Sequence, residues 1–214
     1  DLTWLKKKMH SNPPINLQAK PLLIVLSGPS GAGKDAVLSR MRELDYPLKY
    51  ITTVTTRHRR ASERDGIDYH FVTPEKFQEL LKNKELLEHA NVYGNWYGVP
   101  KKAVKDALDE GWDTIVRVDI QGATTIKKLA PEAVFIFLTP PSLEELRERL
   151  YERLTESSAD RALRNKIAQE EMKQLALFDY IVFNRQGELD KAVADIAAII
   201  TAEKCRIKPR EITL

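Results

Sequence analysis

The chain has 214 residues, 43% hydrophobic and 30% charged, enough for one or two compact domains that bury about 70% of the unfolded surface without a disulfide or metal staple. Its formal charge is +3, from 34 Lys+Arg against 31 Asp+Glu, too small for the basic stripe of a dedicated nucleic-acid binder, so any anion site must come from local clustering. A single cysteine, Cys205, excludes an intramolecular disulfide, and with no signal peptide and no run of about 18 apolar residues the expectation is a soluble, cytoplasmic protein that engages neither membrane nor nucleic acid.

Residues 1–20 combine Lys6, Lys7 and Lys8 with a Pro-Pro pair and little periodicity, the composition of a mobile or loosely docked extension. The last residues, Lys208 to Leu214, read the same way. Between these ends short apolar runs, Leu22 to Leu26, Thr114 to Val118, Ala133 to Leu138 and Tyr180 to Phe183, alternate with helical patterns. Each run is too short for a helix, and the stretches between carry apolar residues at three- and four-residue spacing: Ile126 and Leu129; Leu143, Leu146 and Leu150; Ala192, Ile196, Ile199 and Ile200. This is the signature of βαβ units and a parallel sheet covered by helices on both faces. Ser142 and Glu145 form a capping box that starts a helix after Pro140-Pro141.

The stretch from Thr52 to Gly98 breaks that rhythm. It holds the alternating segment Ile67 to Val72, a helix pattern after Thr73-Pro74 and several Gly-Asn-Tyr turn signals, which predict a small inserted mixed-sheet domain. Residues 151–164 are polar, rich in Arg, Glu and Ser, and lack an apolar stripe, as suits a mobile flap.

The strongest local signal is Gly28-Pro29-Ser30-Gly31-Ala32-Gly33-Lys34, set between an apolar strand and the helical pattern Val37, Leu38, Met41, Leu44. Glycines let the backbone wind until its amides converge on a di- or triphosphate, the following helix presents its positive end, and Lys34 reaches the outer phosphates. The next residue is Asp35 where this motif normally has Ser or Thr on Mg²⁺. A carboxylate is a hard ligand for magnesium. Its charge near phosphate oxygens costs roughly 4 kcal/mol at about 4 Å and an effective dielectric of 20, so nucleotide binding is expected to depend steeply on Mg²⁺.

From about Lys20 to Glu203 the chain resembles guanylate kinase, the P-loop nucleoside monophosphate kinase that moves the γ-phosphoryl of ATP to GMP. The segments that carry the resemblance are GPSGAGK, TTVTTRHRR leading to GIDYHFV, LLEHANVYGNWYGV, DIQGA, RERLYERLTESSADRALR and FDYIVFN. It implies an α/β fold with a P-loop core (21–51, 99–150 and 165–207), a small mixed-sheet GMP-binding domain (52–98) and a flexible lid (151–164). ATP and Mg²⁺ are implied on Gly28 to Asp35, with Asn184 near adenine. Arg57, Arg60, Tyr69 and Tyr97 fall around the GMP phosphate, and Lys34, Arg149, Arg153 and Arg164 close over the transferred group. Glu88 matches the carboxylate that accepts from the two adjacent donors of guanine, Thr53 a hydroxyl that contacts the base, and Asp119 a residue that contacts GMP or orders magnesium-bound water. Arginine suits two polyanions because of its forked donors.

Asp35, Val99 where the family has Ser or Thr, and Arg117 where an acidic residue is common all depart from the pattern. The Gly-Lys-Asp and Tyr-Gly-Val segments also resemble ribose 1,5-bisphosphate phosphokinase, whose acceptor has no base. That rival has no use for Glu88 or for Arg57 and Arg60 with Asp68-Tyr69. A non-catalytic guanylate-kinase-like interaction module is the other alternative; it need not keep Lys34 or the flap arginines. The four histidines show no metal-ligand spacing with Cys205, and Trp96 and Tyr93 read as an aromatic turn packing on the small domain.

Overall fold

Every second residue of the first apolar run meets a different layer. Leu22, Ile24 and Leu26 pack with Val37, Leu38, Met41, Ala192, Val193 and Ile196 on one face, and Leu23 and Val25 pack with Val104, Ala107, Ala123 and Ile126 on the other. Burial on both faces is what a near-continuous apolar strand demands. The computed structural model describes residues 20–61, 63–92, 94–152 and 173–214. In it β1 (Leu23–Ser27), β2 (Lys49–Tyr50), β7 (Thr114–Arg117), β8 (Val134–Thr139) and β9 (Tyr180–Phe183) form a sheet of order β2-β7-β1-β8-β9, parallel throughout. Helices α1 (Lys34–Glu43) and α6 (Leu189–Lys204) cover one face; α3 (Lys101–Asp109) and α4 (Ile120–Leu129) cover the other. The four apolar runs thus form strands as expected, while the two-residue edge strand β2 carried no signal of its own. The stripes end sooner than their sequence: Leu44 and Leu129, at helix ends, are about half exposed.

A second sheet, β4-β3-β6-β5, joins β3 (Val54–Thr55), β4 (His70–Phe71), β5 (Leu86–Val92) and β6 (Asn95–Pro100). Only β3–β4 is parallel, so this sheet is mixed. Helix α2 (Pro74–Lys82) starts where Thr73 accepts from the Lys76 amide, with Pro74 at the first position, an arrangement that spends no needed donor. The alternation over Ile67 to Val72 produces a strand only at His70–Phe71. Gly66 sits at a φ of 76° and the Asp68 carboxylate accepts from the Arg64 amide, so the preceding residues turn instead.

Helix α5 (Leu143–Glu152) begins with the Ser142 hydroxyl accepting from the Glu145 amide. The Glu145 carboxylate does not complete the expected box: it accepts from the Gln186 amide and from Arg149. The C-terminal stretch is docked rather than loose. Arg210 pairs with buried Glu203 at 2.7 Å and donates to the Ala133 carbonyl, while Ile212 and Leu214 pack on the core. Composition hid this because the Ala133 carbonyl and the core residues that Ile212 and Leu214 meet are distant in sequence. Residues 1–19 and 153–172, and with them Arg153, Arg164 and most of the expected flap, lie outside the described residues.

Candidate active site

The carboxyl ends of the parallel strands are where open α/β sheets place ligands. Here β1 runs into the loop 28–33, β7 into Asp119 and β9 into Asn184. Gly28 has a φ of 144°, and a Cβ there would lie 2.0 Å from the Leu138 carbonyl oxygen. Gly33, at a φ of 93°, is the N-cap of α1 and would meet the Asn184 amide at 2.2 Å. The loop can therefore approach β8 and β9 only because it lacks side chains at these points. It leads directly into the N-terminus of α1, the end of a helix that attracts an anion. Lys34 curls back over the loop and donates to the carbonyls of Gly28 at 2.5 Å and Pro29 at 3.1 Å.

Asn184 is buried, donates to the Ala32 carbonyl at 2.8 Å, and accepts from Arg149 at 2.6 Å through its own carbonyl. Asn184, itself held by Arg149, clamps the loop from outside. A cavity of about 430 Å³ opens on the loop's other side, lined by Gly28, Ser30, Gly31, Gly33, Lys34 and Asp35, and across from them by Thr53, Arg57, Arg60, Tyr69, Glu88, Tyr97, Arg117 and Asp119. Thus it gathers most of the residues singled out in the sequence, while Pro29, Ala32, Arg149 and Asn184 are not part of its lining.

Glu88 is 3% exposed, and its Oε2 is buried without a hydrogen-bond partner. A register shift between Leu86 and Glu88 marks a bulge in β5, which accounts for two successive buried residues and is a device that re-aims a side chain. Gly122, in the first turn of α4, is what lets that helix approach Glu88: a Cβ would lie 2.6 Å from Oε2. Burial, and secondarily the charge of Asp119, pushes the Glu88 carboxyl up to about 8. Asp119 is itself raised by burial, against the pull of the Gly122 amide it caps at 2.9 Å and of Lys34. A buried carboxyl without a partner is costly and points to an absent hydrogen-bond donor.

Arg57 is organised by a residue the sequence reading did not single out. Glu63 accepts from Arg57 at 2.7 Å and from the Arg60 amide at 2.8 Å, so one carboxylate sets two arginines along the cavity. The available signal was a lone acid three residues beyond a triple-arginine segment. Arg57 also lies 5.3 Å from the Tyr69 ring centroid, and the Tyr69 and Tyr97 rings meet edge-on at 6.0 Å. Burial pushes the Tyr69 hydroxyl up to about 12. Thr53 is buried, its hydroxyl 3.4 Å from the Arg117 carbonyl.

Val99 is fully buried in the core and absent from the cavity lining. Trp96 stacks on Phe77 at 5.8 Å, in line with a packing role, whereas Tyr93 lies outside the described residues. Among the described residues no group of three or more His, Cys, Asp and Glu is placed to hold a metal ion, and no helix is long and apolar enough to cross a membrane.

A family model described as guanylate kinase matches residues 20–203. Guanylate kinase 2, chloroplastic/mitochondrial, of Oryza sativa is 43% identical over 95% of this chain and 72% of that protein. Guanylate kinase of Carboxydothermus hydrogenoformans is 42% identical over 90% of this chain and 93% of its own. Among solved structures, guanylate kinase from Anaplasma phagocytophilum superposes with a TM-score of 0.73 at 34% identity, covering 88% of this chain and 89% of that one.

Proposed function

Because this chain belongs to the guanylate kinase family, we propose that it transfers the γ-phosphoryl group of ATP to the phosphate of GMP, giving ADP and GDP. The observation that carries the reading is Glu88, a carboxyl residue that lines the same cavity as the phosphate loop and whose buried Oε2 has no hydrogen-bond partner. Guanine offers N1–H and a 2-amino group side by side, which a carboxylate accepts together. Adenine would present an unprotonated ring nitrogen and leave the carboxylate desolvated. An acceptor without a base leaves Glu88 no purpose.

Transfer requires one P–O bond to form at a GMP phosphate oxygen as the bond to the ADP oxygen breaks, with charge spread over the moving group. In this reading backbone amides of the loop, among them those of Ser30, Gly31 and Gly33, and the Lys34 ammonium hold the donor phosphates. Arg57, kept aligned by Glu63, grips the acceptor phosphate with Arg60, Tyr69 and Tyr97. Thr53 and Glu88 hold the base, and Asp119 faces the acceptor. Arg149, Arg153 and Arg164 close over the transferred group and exclude water, which would otherwise compete as acceptor.

Asp35 is a half-exposed hard oxygen donor on the cavity wall beside Lys34, a chemistry that fits magnesium held directly or through water. Magnesium, when bound, supplies countercharge to the polyphosphate. Asn184 steadies the loop on which ATP sits. The exposed lone cysteine suits a reducing compartment, and the cytoplasm is the location proposed. The test is ADP release with GMP, dGMP, AMP and ribose 1,5-bisphosphate as acceptors. Turnover on GMP, with Glu88→Ala losing roughly 10³-fold in kcat/KM for GMP, supports the reading. Activity on ribose 1,5-bisphosphate alone, or on none of them, rejects it.

A further inference from the structure

Two of the positions that depart from the family pattern touch each other. Asp35, in the first turn of α1, and Arg117, at the end of β7, are 82 positions apart, yet Arg117 Nη1 donates to Asp35 Oδ1. The other arm of the fork, Nη2, donates to the Asp68 carbonyl at 3.0 Å, and the guanidinium carbon lies over the Tyr69 ring, 4.2 Å from its centroid. The side chain is 12% exposed. Burial works against its charge, and Asp35, Tyr69 and Asp68 together outweigh that opposition. One buried cation therefore grips the donor helix on one side and, on the other, the segment carrying Tyr69 toward the acceptor.

We propose that Arg117 is a positioning residue that serves as the built-in countercharge of Asp35 and couples the donor and acceptor sites, so that occupancy of one changes affinity at the other. The inference rests on the two-site reading above. It revises the expectation of steep magnesium dependence, because the charge of Asp35 is already matched by a cation of the chain itself. Geometry supports the coupling as well as the neutralisation. A planar fork satisfies a carboxylate and a carbonyl at once while its face rests on an aromatic ring, which a lysine cannot do. Linkage then requires the effect to be reciprocal.

Calorimetry with a non-hydrolysable ATP analogue and GMP, each alone and in the presence of the other, tests this in EDTA and in Mg²⁺. The chains compared are the wild type, Arg117→Met, Arg117→Lys, Asp35→Ser and the Asp35→Ser/Arg117→Met double variant, each first confirmed folded by its melting curve. In EDTA, Arg117→Met should bind the analogue 10- to 100-fold more weakly, and the double variant should recover at least tenfold of that loss, because the unmatched carboxylate is gone. The mutual effect of the two nucleotides should fall toward unity in Arg117→Met and be restored only in part by Arg117→Lys. Additive effects in the double variant, or an unchanged mutual effect in Arg117→Met, overturn the proposal. The EDTA comparison uses the ATP analogue alone. It stays readable even if the wild type fails to phosphorylate GMP, an outcome that would sink the acceptor assignment instead.

Discussion

Around the phosphate loop the backbone has almost no freedom: Gly28 and Gly33 hold left-handed conformations with β8 and Asn184 pressed against them, and the binding groups are amides. Across the cavity the acceptor side is built from charged and aromatic side chains, with Arg57 set by Glu63, Tyr69 set under Arg117, and Glu88 turned inward by a bulge. In the proposed reading the donor side binds any polyphosphate because amides read only charge and shape. In the same proposed reading the acceptor side reads a particular base because a buried carboxyl without its donor is penalised. Generality is thus placed in the backbone and discrimination in a strained side chain.

The contrast breaks most severely at Gly28. A Cβ 2.0 Å from the Leu138 carbonyl oxygen, at a φ of 144°, cannot be accommodated by a rotamer change, since the backbone fixes the position of the Cβ and the oxygen it meets is main chain. Gly28→Ala should destabilise the fold by about 4 kcal/mol and abolish ATP binding, as read by urea denaturation and calorimetry. Retention of wild-type stability would mean that the loop is not fixed as described.

On the acceptor side the corresponding cost is electrostatic and follows pH. Glu88 keeps its proton in the folded chain up to about 8, against a usual 4.5, so between those values the unfolded chain binds fewer protons and stability declines as pH rises. The contribution is whole below about 4.5 and is lost as pH climbs through about 8. Glu88→Gln carries no such titration. Denaturation at pH 5 and pH 8 should show it gaining about 3 kcal/mol on the wild type over that interval. GMP, by demanding the ionised form, should release a proton on binding near neutral pH, measurable as a buffer-dependent binding enthalpy. Parallel stability profiles for the two chains would show that Glu88 is not a strained acid.

What could be read from the sequence followed this same division. The phosphate loop was legible because its seven residues are contiguous and its flanking strand and helix are local patterns, and the apolar runs revealed the parallel sheet for the same reason. Contacts made across the fold were not. Nothing in a linear reading joins Asp35 to Arg117, Asn184 to Ala32, or Arg210 to the Ala133 carbonyl, since each depends on strand order. Glu88 stood out only through resemblance, because the bulge that buries it breaks the alternation by which strand faces are recognised.

Asn184 sharpens the comparison at its finest point, where a side chain serves the backbone side. Resemblance put it near adenine; the structure has its amide on the Ala32 carbonyl at 2.8 Å, with no room for a Cβ on Gly33 between them. Asn184→Ala removes one buried hydrogen bond and leaves that carbonyl without it, at about 1–2 kcal/mol of stability. The more informative measurement is steady-state kinetics with ATP and GTP as alternative donors at saturating GMP. If the residue clamps the loop, the KM for both donors should rise together, about tenfold, because a loosened loop serves every polyphosphate equally. A rise confined to ATP would instead mark direct contact with the base. The donor side would then also discriminate by side chain, and the division drawn between the two halves of the cavity would fail.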